Sequence, residues 1–174
     1  MFRWGKSSER TDYSPSHLFV LVLLPQKENH VLRLNRLGAL YREVVAVRLS
    51  GRNVFLPDLA FYRTGREDVI RPTHIVAAPD LVVEVLSPRT ADRDIGPKFA
   101  EYEQHGVREY WILDPETLAH RFYHLIGEEL VEYADGSNTI DSTVVTGFFL
   151  NRSWLDPADL PRIDDALGII EAGG

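Results

Sequence analysis

The sequence predicts a single α/β (α+β) domain in which helices pack on a central mixed β-sheet. Its 174 residues, 44% of them hydrophobic, are enough to bury one core. The segment 78–86 is almost continuously apolar, as is typical of a strand buried on both faces. Other short β-rich runs, separated by turn residues, alternate with segments of helical period. We therefore expect one domain over 1–174.

The elements are predicted in chain order. Residues 1–16 are polar and are expected to form an irregular arm, and the apolar run 18–24 is expected to be a core element. Apolar side chains at three- and four-residue steps predict a helix near 28–43. Pro97 suits the first turn of a second helix that ends near 105, and Gly106 suits its C-terminal cap. Strands are predicted at 44–49, 54–62, 78–86, 107–113, 119–126 and 129–133, and a helical tail at 157–174.

Composition excludes several classes of protein. Cysteine is absent, which rules out disulfides, thiol nucleophiles and Cys-ligated zinc and is consistent with a cytoplasmic protein. The run 18–24 is far shorter than the ~20 residues of a membrane helix, so no membrane partner is expected. A net charge of −7 argues against a generic basic nucleic-acid binder. The charge is uneven, however: residues 31–76 carry eight Arg and four acids, whereas 112–174 carry twelve acids and three Arg.

The most informative stretch holds two carboxylates on a buried strand. Asp80 and Glu84 are four residues apart, so on a strand their side chains point to the same face. Asp58 lies in the similar phrase Pro-Asp-Leu on a second apolar strand. Lys98, one of only three lysines, follows on the predicted helix, with Tyr102 one turn later on the same face. Three acids and a lysine near a sheet predict a divalent-metal site that cuts phosphodiesters.

Structural interpretations compete with this one. Asp after Pro often opens a turn or caps a strand, so Asp58 and Asp80 could each be structural. Glu84 lies mid-strand, where an unpaired carboxylate would cost several kcal/mol, and a buried Glu–Arg pair is its chief alternative. Tyr102 is expected to pack on the sheet rather than to contact a phosphate. His120 and His124 are expected at the surface rather than on zinc.

Several motifs, in order and spacing, resemble the Uma-type restriction-endonuclease family of the PD-(D/E)XK nuclease superfamily over roughly residues 44–133. They are Pro57-Asp58-Leu59-Ala60-Phe61, the segment 79–88, Lys98, Tyr102, the segment 106–111 and Asp114-Pro115. The resemblance implies a restriction-endonuclease-like fold with Mg²⁺ at the edge of the sheet.

The resemblance also implies roles for the candidate residues. Asp58 corresponds to the first acid of the superfamily signature and Glu84 to the second. Leu86 stands where the signature has lysine. The resemblance to Uma-type proteins implies that Lys98, on the following helix, takes the role of that lysine. Asp80 is then an additional ligand or a residue that shapes the entry of the strand. The first 43 residues lack the Glu-x-x-Asp-Gly hairpin with which such relatives begin and fit the family poorly.

The sequence thus predicts a Mg²⁺- or Mn²⁺-dependent endonuclease acting on DNA, with Asp58, Asp80 and Glu84 as metal ligands and Lys98 as the fourth catalytic residue. A homodimer, edge-to-edge or helix-mediated, is one expectation, because two sites most simply cut both strands of a duplex. The alternative is a catalytically silent nucleic-acid- or protein-binding module that keeps the nuclease fold. Metal-linked stabilisation separates the two.

Overall fold

A computed structural model describes residues 31–34, 36–42, 45–51, 53–86, 95–134, 136–156, 158 and 160–173. The predicted arm 1–16, the run 18–24 and residues 28–30 of the predicted helix lie outside these residues. No helix within the described ranges is long and apolar enough to cross a membrane.

Twelve strands and two α-helices form the described part of the chain. The strands are β1 Val31–Leu34, β2 Gly38–Arg42, β3 Ala46–Arg48, β4 Val54–Phe55, β5 Leu59–Arg63, β6 His74–Ile75, β7 Leu81–Val85, β8 Glu109–Leu113, β9 Arg121–Ile126, β10 Glu129–Tyr133, β11 Thr139–Asp141 and β12 Phe149–Asn151. The helices are α1 Pro97–Gln104, between β7 and β8, and α2 Ile163–Gly173 near the C-terminus. Short 3₁₀ turns cover Glu67–Val69 and Arg152–Leu155.

A seven-stranded mixed sheet organises the fold, in the order β1-β2-β5-β7-β8-β9-β10. Within this sheet, the central pair β7–β8 is parallel, and α1 lies in the crossover connection that a parallel pair requires. The other neighbours in this sheet are antiparallel. The predicted mixed sheet of the α+β class is confirmed, and the predicted central strand is the middle strand of seven.

Both faces of the sheet are covered. One face packs α1 and a small sheet, β4-β3-β6, through residues such as Val82, Tyr102 and Tyr110. The other face packs the C-terminal segment, which contains β11, β12 and α2, around Trp111 and Phe148. The apolar run of β7 follows directly from this double coverage, because both sets of its side chains are buried.

One predicted element is wrong. The helix expected near 28–43 is instead the antiparallel hairpin β1–β2, with Leu32 opposite Leu40. Leu40 belongs to the core on one face, whereas Ala39 and Tyr41 belong to the core on the other. Since three consecutive residues of β2, Ala39, Leu40 and Tyr41, are buried, the simple alternation that identifies a strand is lost. The predicted strand 54–62 is also interrupted, and forms β4 and β5 in different sheets.

The remaining elements agree with the sequence. The strand at 44–49, the hairpin around Gly127-Glu128, α1 and the helical tail are all present, as β3, β9–β10, α1 and α2. Gly106 follows the last turn of α1 with a φ of 74°, the left-handed conformation that glycine adopts at a helix end.

Candidate active site

The register of two antiparallel strands brings Asp58 beside Glu84. Leu59 of β5 pairs with Val83 of β7, so the next position outward on each strand sets Asp58 opposite Glu84. The Asp58 carboxylate accepts a hydrogen bond from the backbone N–H of Val85 at 2.6 Å. This bond holds Asp58 against the end of β7, although 26 residues separate it from Glu84 in sequence. Two of the predicted acids are therefore adjacent.

Glu84 is buried and held by two donors from α1. Its Oε1 atom lies 2.9 Å from Lys98 Nζ and accepts a hydrogen bond from the Tyr102 hydroxyl at 3.0 Å. Glu84 is 1% exposed and Lys98 2%. A buried carboxylate needs such partners, because desolvating an unpaired charge costs several kcal/mol. Among the described residues, the cationic partner of Glu84 is the predicted lysine and not an arginine.

Local sequence explains how α1 presents these two side chains. Pro97 occupies the first turn, and the N–H groups of Gly106 and Val107 bond back to Glu103 and Tyr102 to close the last turn. Within the eight-residue helix, Lys98 and Tyr102 lie four residues apart on the buried face.

Aromatic packing fixes Tyr102 on the sheet. Its ring centroid is 5.1 Å from that of Tyr110 and 5.6 Å from that of Phe55. The expectation that Tyr102 packs on the sheet is confirmed, and its hydroxyl also acts on Glu84.

Asp80 lies apart from the other candidate residues. It immediately precedes β7, four residues before Glu84 and on the same face, which separates the two by about 13 Å along the strand direction. Its oxygens face Arg63 Nε at 3.0 Å, Arg66 Nη1 at 2.9 Å and Arg108 Nε at 3.8 Å. It also accepts the backbone N–H of Arg63 at 3.0 Å. The structure therefore unites Asp58, Glu84 and Lys98 and sets Asp80 in an arginine cluster; its predicted ligand role stays a prediction.

Among the residues that the structure describes, the donor set at this site consists of the carboxylates of Asp58 and Glu84. Within the described ranges, no group of three or more His, Asp or Glu side chains is placed to hold a metal ion. Mg²⁺ keeps several waters and is commonly bound through one or two carboxylates and substrate phosphates, so Asp58 and Glu84 fit this ion. They do not form a complete cage, as a structural metal site would require.

A further buried acid escaped the sequence analysis. Glu109 of β8 is fully buried on the opposite face of the sheet. It accepts hydrogen bonds from Trp111 Nε1 at 2.9 Å, Ser142 Oγ at 2.7 Å and the Tyr133 hydroxyl, and from the backbone of Val144. Burial raises the pKa of Glu109, and these hydrogen bonds oppose the shift. The sequence feature that could have identified Glu109 is the presence of an acid within the largely apolar strand predicted at 107–113.

One histidine also differs from expectation. His120 is buried, and its Nδ1 accepts the backbone N–H of Asp114 at 3.1 Å. Burial lowers the pKa of His120, with a smaller contribution from nearby Arg152. The prediction of a surface position is wrong for this residue, which stabilises the turn after β8.

Comparisons with known proteins give a matching family model. The family model "Uma2: Putative restriction endonuclease" matches residues 13–153. This match extends beyond the expected 44–133 at both ends. The expectation that the first 43 residues fit the family poorly is therefore wrong for residues 13–43.

A similar solved structure is a crystal structure described as a putative nuclease belonging to DUF820 from Anabaena variabilis. It aligns with a TM-score of 0.53 and 17% identity, over 78% of this chain and 70% of the other. At this identity the likeness supports the fold. No curated protein matches the chain in sequence.

Proposed function

The chain belongs to the Uma2 family, and we propose that it is a Mg²⁺- or Mn²⁺-dependent endonuclease that hydrolyses phosphodiester bonds in DNA. Family membership supports a nuclease in general terms; the metal, the DNA substrate and the roles of individual residues are our proposal. The observation that carries it is the convergence of Asp58, Glu84 and Lys98 from three separate elements.

In the proposed mechanism, Asp58 and Glu84 hold the metal at the end of β7. The bound ion would supply Lewis-acid stabilisation of the charge that develops on the phosphate and would favour ionisation of a water molecule. Val85 N–H orients the Asp58 carboxylate, and Tyr102 and Lys98 orient that of Glu84. These contacts hold each acid in one orientation, which is the usual function of residues that support metal ligands.

Lys98 has a second role in this proposal. An ammonium group carries three N–H donors, so one can hold Glu84 while another donates to the attacking water or to a phosphate oxygen. A cation fixed before the reaction stabilises developing negative charge without reorganisation. Replacing Lys98 should therefore affect both cleavage and the position of Glu84.

Plasmid cleavage tests the proposal. We expect the protein to nick or linearise supercoiled DNA in Mn²⁺ and Glu84→Gln to lose at least ~100-fold in rate, the loss typical when one transition-state contact is removed. Glu129→Gln is the matched control, because it makes the same isosteric change at an exposed position of β10. Equal rates for the protein and Glu84→Gln would refute the assignment.

A second candidate function rests on the burial of the same pair. Glu84 and Lys98 form an ion pair that is almost inaccessible to solvent, which would also suit a purely structural role in a silent nucleic-acid- or protein-binding module. Such a module would bind without cleaving, and its melting temperature would not rise with Mn²⁺.

A homodimer remains part of the proposal, because two sites would serve two strands. Sedimentation with and without duplex DNA tests it. A single monomeric species in both conditions would exclude it.

A further inference from the structure

The arginine cluster around Asp80 carries more positive charge than its carboxylate needs. Arg63, Arg66 and Arg108 all approach Asp80, which is 2% exposed, whereas the arginine side chains are 43%, 29% and 57% exposed. The buried Asp80 carboxylate therefore contacts the inner side of the guanidinium groups, and the rest of each arginine side chain is partly exposed to solvent. The cluster lies in a chain whose overall charge is −7.

An adjoining cavity gives the cluster a concave surface. A cavity of about 430 Å³ is lined by Arg36, Arg63 and Arg66, together with Tyr62, Thr64 and Glu67. Arg36 makes no ion pair with any residue in the described ranges. The cavity lining carries three arginines, Arg36, Arg63 and Arg66, and one carboxylate, Glu67, which gives it a formal charge of +2.

The backbone fixes Arg36 beside the other two arginines. The Thr64 hydroxyl donates to the carbonyl of Arg36 at 2.7 Å, and the Thr64 N–H donates to that of Leu37 at 2.9 Å. Gly38 lies so close to β5 that a Cβ would be 2.1 Å from the Tyr62 carbonyl oxygen. The β1–β2 turn is therefore held directly against the end of β5, where Arg63 lies.

The guanidinium groups of Arg63 and Arg66 are also oriented in advance. Arg63 bonds to Asp80 through Nε and Arg66 through Nη1, and the Arg66 guanidinium lies 5.3 Å from the centre of the Tyr62 ring. Among the described residues, no acceptor engages their remaining N–H groups. Oriented arginines with available donors match the geometry of a phosphate, and their prior ordering reduces the entropy lost on binding.

We propose that Arg36, Arg63 and Arg66 form a phosphate-binding site at the mouth of this cavity, separate from the candidate active site. Asp80 and Glu84 lie at opposite ends of β7, about 13 Å apart, so the bound phosphate is not the one that is cleaved. The phosphate group belongs either to a nucleic-acid backbone or to a small phosphorylated ligand. Binding requires no metal and does not depend on the proposed cleavage.

Thermal melting of the full chain in chelator, with inorganic phosphate as the probe, tests the site. At matched ionic strength, phosphate should raise the melting temperature above that in chloride, with saturation. Arg36→Gln/Arg66→Gln should lose this rise. Arg71→Gln/Arg121→Gln, which removes two arginines elsewhere, should keep it. No rise in the unmodified protein, or an equal rise in the first double variant, would overturn the proposal.

A single substitution controls for misfolding of the double variant. Arg36 is exposed, and its replacement leaves all the partners of Asp80 in place. Arg36→Gln should melt as the unmodified protein does without phosphate and should lose part of the phosphate-dependent rise. A full rise in Arg36→Gln would contradict the inclusion of this residue.

Binding of a 20-bp duplex at several salt concentrations distinguishes the two sources of the phosphate. Loss of one backbone phosphate contact should reduce the slope of log affinity against log salt by about 0.9 in Arg36→Gln/Arg66→Gln but not in the control. An unchanged slope, with phosphate-dependent melting lost, would support the site and identify a small phosphorylated ligand. Glu84→Gln should leave both measurements unchanged, so failure of the active-site proposal and failure of this one give different results.

Discussion

Replacing Lys98 by Met removes the ammonium group while keeping most of the side-chain volume. At the observed 2.9 Å and an effective dielectric constant of about 20, the attraction between Lys98 and Glu84 is about 6 kcal/mol before desolvation is counted. The variant leaves Glu84 buried, with Tyr102 as its remaining donor from α1. Breaking a buried pair in this way typically costs 3–5 kcal/mol of unfolding free energy, so we expect a loss of about 4 kcal/mol at pH 7.

Urea denaturation in chelator measures this loss, and a double-mutant cycle isolates the pair. Lys98→Met/Glu84→Leu removes both charges, and such replacements are often neutral or stabilising, so the double variant should be more stable than Lys98→Met alone. Acidification should also restore part of the stability of Lys98→Met, because protonation removes the charge of the buried carboxylate that has lost its ammonium partner. A loss below about 1 kcal/mol, or strict additivity in the cycle, would refute the energetic account of the site.

Three further predictions concern the surroundings of the site. Tyr102→Phe should lower the cleavage rate ~10–100-fold, as expected when a residue that orients a metal ligand is lost, while its packing is kept; an unchanged rate would exclude this role. Asp80→Asn should lower the unfolding free energy by about 1–3 kcal/mol in urea, less than for the Lys98–Glu84 pair because its arginines are partly exposed and can be solvated. Burial raises the folded-state pKa of Glu109 above its ordinary value of 4.5. The protonated carboxyl therefore contributes stability that is present below pH 4.5 and is lost as pH rises through the folded-state pKa. The stability of the unmodified protein relative to Glu109→Gln should thus fall as pH increases above 4.5, and a relative stability that rises with pH would contradict this cause.

Part of the site could be predicted because its signals are local. Glu84 is an acid within a strand-like apolar run, which requires a partner, and the scarcity of lysine drew attention to Lys98. Asp58 was identified because it lies in a Pro-Asp-Leu motif similar to the one that contains Asp80. That the three side chains meet depends on the register between β5 and β7 and on the α1 crossover, which the structure supplied.

Asp80 shows why the rest could not be predicted. Its spacing from Glu84 correctly indicated a shared face, but four strand residues also carry it to the other end of β7. Of its partners, Arg63 ends β5, Arg66 follows β5 and Arg108 precedes β8, so the assembled sheet is what brings them together. The β1–β2 hairpin was predicted as a helix for a related reason: the burial of β2 on both faces comes from elements that are distant in sequence.

The most direct test of the central claim is the Mn²⁺-dependent rise in melting temperature of four proteins: the unmodified chain, Asp58→Asn, Glu84→Gln and Asp80→Asn. Binding at a site formed by Asp58 and Glu84 predicts a rise in the unmodified chain and in Asp80→Asn, and its loss in the other two. A rise that survives in Asp58→Asn and Glu84→Gln, or that is lost only in Asp80→Asn, would contradict the proposed active site.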